Sequence, residues 1–269
     1  GGQVYRVTYC FSSRRSSARF LLYLCALLGS CIATYADGAP EPRVVHAIDT
    51  YPHVLWNESW GGAEAQADSW SIYSGSTVAL TGDIEGPGWR LRSTGGYGRY
   101  HYAKLLRGLA GPEDTRLTGQ KYFSTLLLGH QFQRQRLTIK AFAGLTSDRH
   151  IIDPRDPMQS AGGMVYGGKA ALEAWLALAN AQWLAGNLSW ASTLQTYNFS
   201  ARGGMAVLDD LDLGLEARWQ RNRHHRAGRI GGFATWRIGD AGLTAAAGAT
   251  GQRARPLGPY GRISLFLRF

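Results

Sequence analysis

The chain has only three cysteines, and all of them, Cys10, Cys25 and Cys31, lie in its first 36 residues. From residue 37 onward there is neither a disulfide nor thiol chemistry. Long apolar runs are missing as well: nothing after residue 36 approaches the roughly 20 apolar residues of a spanning helix. If this chain crosses a membrane, it crosses as strands. The seven histidines, His46, His53, His101, His130, His150, His224 and His225, stand in no metal-ligand spacing such as His-Glu-x-x-His. There is no phosphate loop and no Gly-x-Ser-x-Gly, so those routes to nucleotide or ester chemistry are absent. A Ser–His pair remains conceivable, His101 or His130 with Ser93 or Ser124, but no spacing supports it. The expectation is a protein that is not an enzyme, with no catalytic residue, no cofactor and no metal.

What is present begins with a secretory leader. Arg14, Arg15 and Arg19 form a basic start, Phe20 to Ala33 a mostly apolar run, and Thr34-Tyr35-Ala36 a cleavage site before Asp37. Leu28-Gly29-Ser30-Cys31 loosely matches a lipidation box that would modify Cys31. Residues 1–13 read as an over-extended start to that leader. The division expected is a leader over 1–36, an N-terminal periplasmic segment over 37–67 and a membrane domain over 68–269.

The whole chain carries 29 basic and 19 acidic residues, a formal charge of +10. Four of the basic residues (Arg6, Arg14, Arg15, Arg19) and none of the acids precede residue 37, so the remainder is 25 against 19, or +6. That balance suits anionic lipid, a polysaccharide or a cation-lined lumen, and an exported protein would rarely meet nucleic acid. Glycine (35), tyrosine (13) and tryptophan (9) are abundant. Glycine serves turns and barrel bends, and Trp and Tyr prefer the membrane interface.

The last eleven residues alternate. Ile263, Leu265, Leu267 and Phe269 share one face; Tyr260, Arg262, Ser264 and Arg268 share the other, with Phe266 among them. A closing strand with a terminal Phe resembles the assembly signal of outer-membrane β-barrels, which their assembly machinery reads. Similar stretches recur at 69–80, 88–103, 121–134, 136–147, 165–179, 185–196, 198–208, 211–222, 227–238, 241–251 and 259–269. Eleven strands is an odd number, so either 53–63 adds a twelfth or 185–208 is one bent strand and the count is ten. The stretch Lys169 to Leu178 is rich in helix formers, but its period of two assigns it to a strand. The fold expected is all-β: an antiparallel up-and-down outer-membrane barrel of about 10–12 strands. Leu105 to Gly119, Thr146 to Gly163 and Arg221 to Ala227 read as long external turns, and Leu208 to Asp210 and Gly239 to Ala241 as short periplasmic ones.

On this reading Arg90, Arg92, Lys140, Lys169, Glu173, Glu216, Arg218, Arg229, Arg237 and Arg262 line the lumen. They could pair across it as structural ion pairs, or line a polar passage or docking site for a glucan. Tyr97, Tyr100, Tyr102 and Tyr260 are the candidates to stack on sugar faces, with girdle aromatics as the alternative role.

A family resemblance enters through ordered blocks. Gly95-Gly96-Tyr97-Gly98-Arg99-Tyr100 resembles an element of the BcsS family of cellulose biosynthesis proteins. Leu126 to Phe132, Leu137 to Leu145, Gly168 to Leu178, Leu188 to Tyr197, Gly214 to Ala217 with Arg229 to Phe233, and Gly258 to Gly261 follow in the same order. The similarity covers roughly residues 69–269. Arg221-Asn222-Arg223-His224-His225-Arg226 departs from it in being more basic. The resemblance implies an accessory outer-membrane protein of bacterial cellulose production, aiding glucan export or docking the synthesis complex, with cellulose and other synthesis proteins as partners beside outer-membrane lipid. A small general porin, or a barrel-wall enzyme modifying lipid or sugar, is the alternative.

Overall fold

A computed structural model describes residues 55–108, 111–153, 163–222, 226–252 and 255–269. The leader, Cys31 and most of the 37–67 segment lie outside the described residues. Twelve strands follow one another: β1 (Asn57–Gln66), β2 (Ser69–Ala79), β3 (Gly88–Gly108), β4 (Gly111–Arg134), β5 (Leu137–Asp153), β6 (Gly163–Ala177), β7 (Gln182–Ala191), β8 (Thr196–Leu208), β9 (Leu211–Arg221), β10 (Arg226–Ile238), β11 (Ala241–Gln252) and β12 (Arg255–Arg268). Each pairs antiparallel with its chain neighbours, and β1 pairs with β12, so the sheet is a closed barrel without edges. This is an outer-membrane-type β-barrel.

Two expectations need correction, and one of two open alternatives is excluded. The barrel starts at Asn57 rather than at residue 68, because β1 completes the ring; the 53–63 stretch is the twelfth strand, moved to 57–66. Its period is hard to read because the outward residues, Ser59, Gly61, Ala63 and Ala65, are all small. The stretch 185–208 is not one bent strand, since a turn at 192–195 divides it into β7 and β8. Most of 105–119 is strand rather than turn, as are residues 146–153. Backbone pairing continues there although the apolar alternation fades in the sequence. Residues 169–177, for all their helix formers, lie in β6, where both edges are hydrogen-bonded to β5 and β7.

Both ends of the described chain and the turns at 135–136, 178–181, 209–210 and 239–240 share one end of the barrel. Short turns mark the periplasmic end of such barrels. The outer wall is apolar: Leu145, Leu215, Ile230 and Ile263 are more than 60% exposed. Aromatic rings flank this band. Trp70, Tyr97, Tyr122, Tyr166, Trp190, Tyr197 and Trp219 ring the far end, and Trp56, Trp89, Phe132, Trp236 and Phe269 the periplasmic end.

The closing strand sits as its alternation requires. Ile263, Leu265, Leu267 and Phe269 face outward and are exposed, whereas Tyr260, Arg262 and Arg268 are buried inside. Phe269 locks the seam. Its carbonyl accepts from the Trp56 and Asn57 amides at 3.1 and 2.9 Å, and its amide donates to the Asn57 carbonyl at 3.0 Å. Its ring meets Trp56 edge-on at 6.3 Å.

The glycines have a role beyond turns. Inside the barrel, aromatic residues stand directly opposite glycines on neighbouring strands: Trp60/Gly75, Tyr73/Gly62, Phe123/Gly96, Tyr100/Gly119, Phe142/Gly129, Trp183/Gly204, Phe233/Gly214 and Tyr260/Gly248. Each ring lies over its glycine. A Cβ on Gly119 would sit 1.9 Å from the Tyr100 ring, and one on Gly75 2.6 Å from Trp60. The missing side chain is filled by the ring opposite, which keeps the ladder dry and sends the ring's bulk into the lumen.

Candidate functional site: the filled lumen

The inner wall alternates with the outer one, so every second residue of each strand projects into a confined space. Arg90, Arg92, Lys140, Lys169, Glu173, Glu216 and Arg262 are buried there. Arg218, Arg229 and Arg237 share that face: Arg218 stands in register with Ser200 and Arg229, and Arg237 reaches Asp212. All ten sequence candidates therefore lie on the lumen side, and most are drawn into ion pairs.

One cluster joins β1, β3, β5 and β6. Arg92 makes a two-pronged pair with Glu173, one contact at 3.0 Å, and stands 3.9 Å from Glu58. Lys140 reaches Glu58 at 3.3 Å, and the Asn187 amide donates to Glu173 at 3.3 Å. The Arg92 guanidinium also lies over the Phe142 ring at 4.0 Å and the Trp60 ring at 5.2 Å. A second cluster joins β1, β8, β9, β10 and β12. Arg262 pairs with Glu216, Tyr260 donates to Glu216 at 2.9 Å, and Arg202 approaches the same carboxylate at 3.7 Å. Arg229 pairs with Glu64 and lies 5.0 Å from the Tyr260 ring centre. Near the two mouths stand Arg237–Asp212 at 3.0 Å and Lys121–Asp148 at 3.3 Å, the latter carboxylate also accepting from Thr193. The widest of these pairs, Arg229–Glu64, spans 165 positions in sequence and forms because β1 closes onto β12.

Aromatic layers fill the space between the charges. Trp60, Tyr73 and Phe123 cluster with Phe266, and Trp183, Phe233 and Ala246 with Trp175 and Ala185. The β2–β3 connection, residues 80–87, folds inward over the periplasmic mouth. Arg90, 0% exposed, holds it by donating to the carbonyls of Thr81, Asp83, Ile84 and Gly86. Ile84 is buried at its tip; Arg268 pairs with Glu85 at 2.7 Å, and Gln131 donates to the Glu85 carbonyl at 2.8 Å. Behind the loop is a cavity of about 30 Å³ among Glu58, Lys140, Glu173, Trp175 and Arg268. A space of that size holds a water molecule or two, not a sugar.

The four tyrosines separate. Tyr100 and Tyr260 face the lumen and are buried. Tyr97 is on the outer wall, where its ring lies 5.4 Å from Trp70 and 4.8 Å from Tyr122. Tyr97 and Tyr100 are three residues apart and cannot share a face in a strand. The Tyr102 side chain lies outside the described residues. Of the histidines considered beside serine, His101 bonds Thr118 at 3.0 Å and His130 lies between Trp89 and Phe132 on the outer wall. Ser124 bonds Ser147 at 2.8 Å. Among the described residues no group of three or more His, Cys, Asp or Glu could hold a metal ion.

Residues the sequence reading passed over complete the network: Glu58, Glu64, Lys121, Asp148, Arg202, Asp212 and Arg268. Glu58, Trp60 and Glu64 share one parity on β1, and Asp212 shares that of Glu216 on β9. Both strands' patterns were readable once the strands were placed.

Comparison with known proteins agrees with this architecture. The translocator domain of the autotransporter NalP from Neisseria meningitidis is similar in fold: 14% identity, 82% of this chain and 90% of that chain covered, TM-score 0.50. The transport unit of the autotransporter AIDA-I from Escherichia coli matches at 11% identity over 84% and 94% of the two chains, TM-score 0.49. A KdgM porin matches at 8% identity over 79% and 99%, TM-score 0.45. No curated protein matches in sequence. A family model described as "Cellulose biosynthesis protein BcsS" matches residues 59–269.

Proposed function

Since the chain belongs to the BcsS family of cellulose biosynthesis proteins, we propose that it serves that process as an accessory outer-membrane barrel that docks the synthesis or export apparatus, without itself conducting the glucan. The observation that carries this reading is the filled lumen. Arg90, Arg92, Glu58 and Glu173 are all at most 6% exposed, rings on glycines occupy the levels between the charges, and the 80–87 loop covers the periplasmic mouth. A glucan conduit requires a continuous wet path lined by stacking rings, and Tyr100 and Tyr260 are instead buried in the wall. The barrel then contributes a rigid, membrane-fixed platform whose two ends meet partners. No reaction chemistry is assigned to it.

The test has two parts. Deleting the gene should lower cellulose at the cell surface, with restoration by the full chain. The purified full chain in planar bilayers should show no steady conductance. Unchanged surface cellulose after deletion refutes the cellulose role; a steady open pore in the wild type refutes docking without conduction.

A further inference from the structure

The basic segment 221–226 begins with Arg221 and ends with Arg226, and the lumen uses neither. Both are exposed, and they stand directly opposite each other across β9 and β10, in one row with Tyr197 of β8. Trp219, of the same outward parity, lies two residues nearer the membrane centre. Like charges facing each other across a strand pair repel, unless an anion lies between them. A second patch of the same make-up lies on β3–β5. Arg99 and Arg149 are exposed on the outer face. Between them Gln120 accepts from the Tyr97 and Tyr122 hydroxyls at 3.4 and 3.3 Å. The outward carboxylate of β5, Asp153, stands four residues beyond Arg149, further from the membrane. β4 and β9 are five strands apart in the ring of twelve, so the patches sit on nearly opposite walls.

Both patches occupy one level, the outer rim of the far aromatic girdle, where lipid headgroups lie. Two guanidiniums beside interfacial aromatics match a phosphate group, which Arg binds by paired hydrogen bonds. We propose that Arg221 with Arg226, and Arg99 with Arg149, are two binding sites for the phosphates of outer-leaflet lipid, the phosphorylated glycolipid lipid A. The proposal needs the outer-membrane barrel and not the cellulose role, so either can fail without the other. Each site fixes the barrel's depth and orientation, and holds the repelling arginines in place by charge neutralisation.

The experiment is native mass spectrometry of the full-chain barrel in neutral detergent with added bisphosphoryl lipid A, and with phosphatidylcholine as a zwitterionic comparison. The variants are R221Q/R226Q, R99Q/R149Q and the combination of all four. These are exposed outer-wall positions, and folding is checked for each by heat-modifiable gel mobility. The wild type should retain up to two lipid A molecules and lose them as salt rises. Each double variant should retain one, with affinity for the lost site about tenfold or more lower. Equal lipid A retention by the wild type and the fourfold variant overturns the proposal. So does retention of phosphatidylcholine as strong as that of lipid A.

Discussion

Replacing Glu173 by Gln tests the central ion cluster with almost no change in shape. Glu173 is 5% exposed on β6 and receives both prongs of Arg92 and the Asn187 amide. Arg92 and Lys140 balance Glu173 and Glu58. The amide removes one negative charge and leaves the Arg92 guanidinium with a 3.9 Å contact to Glu58, a carboxylate already engaged by Lys140 at 3.3 Å. Removing one partner of a buried pair costs about 3–5 kcal/mol; Gln keeps an acceptor oxygen, so the lower end, about 3 kcal/mol, is expected. Removing both partners should be milder. Arg92→Met with Glu173→Leu leaves no orphan charge, and such swaps run from neutral to about 1–4 kcal/mol stabilising. Against that stands the loss of Arg92 over the Phe142 and Trp60 rings, about 0.5–2 kcal/mol. The double variant should therefore be at most about 2 kcal/mol less stable than the wild type, above the single Glu173→Gln. Urea titration of the barrel in lipid vesicles, followed by tryptophan fluorescence and by heat-modifiable gel mobility, reads both. A Glu173→Gln loss under about 1 kcal/mol, or a double variant as weak as the sum of its single changes, would refute a desolvated pair and mean that water fills this level of the lumen.

Deleting Phe269 removes the three backbone bonds that tie the end of β12 to Trp56 and Asn57; the protein should accumulate in the periplasm as unassembled chain, seen by membrane fractionation. Gly119→Ala drives a Cβ to 1.9 Å from the Tyr100 ring, so about 1–3 kcal/mol should be lost in the same urea titration. At Gly168, where the nearest atom to a new Cβ is 3.9 Å away, the same change should cost less than about 0.5 kcal/mol. Arg90→Gln strips the donors that hold the carbonyls of Thr81, Asp83, Ile84 and Gly86, and planar bilayers should then show intermittent conductance that the wild type lacks.

The parts of this fold that the sequence revealed are those where one wall separates two solvents. On β5, Leu137, Ala141, Ala143 and Leu145 meet lipid while Thr138, Lys140 and Thr146 face inward, and a period of two follows directly. Where that contrast weakens, so does legibility. β1 turns mostly small residues outward, and the outer parts of β3, β4 and β5 form hydrogen-bonded ladders whose sequence carries little apolar alternation. The lumen charges were visible one by one, since each alternates with an apolar neighbour. Their partners were not: Arg92 and Glu173 are 81 positions apart, and Arg229 and Glu64 165. Such pairs depend on barrel circumference and stagger, which no local pattern encodes. The inward fold of residues 80–87 was hidden for a related reason, because its partners, Arg90, Gln131 and Arg268, come from three strands.

An open channel and a filled barrel ask opposite things of the inner wall. A channel needs short polar side chains that leave water in the middle, and charges whose partner is that water. Here the positions opposite large rings are glycines, so that Trp60, Tyr73, Phe123, Phe142, Trp183 and Phe233 each take up room a neighbouring side chain would have used. The remaining charges find partners on other strands rather than solvent. A pair buried this deeply contributes little net stability, because desolvating its members costs nearly as much as their attraction returns. Its physical effect is to fix which strands stand where: Glu216 can satisfy Arg262, Arg202 and Tyr260 together only when β8, β9 and β12 hold one stagger. The inner face of this barrel thus suits the proposed docking role, since its buried pairs set a rigid shape. A rigid shape anchored in the membrane can be reached from the water on either side only at its two ends, which is where the proposed docking would take place.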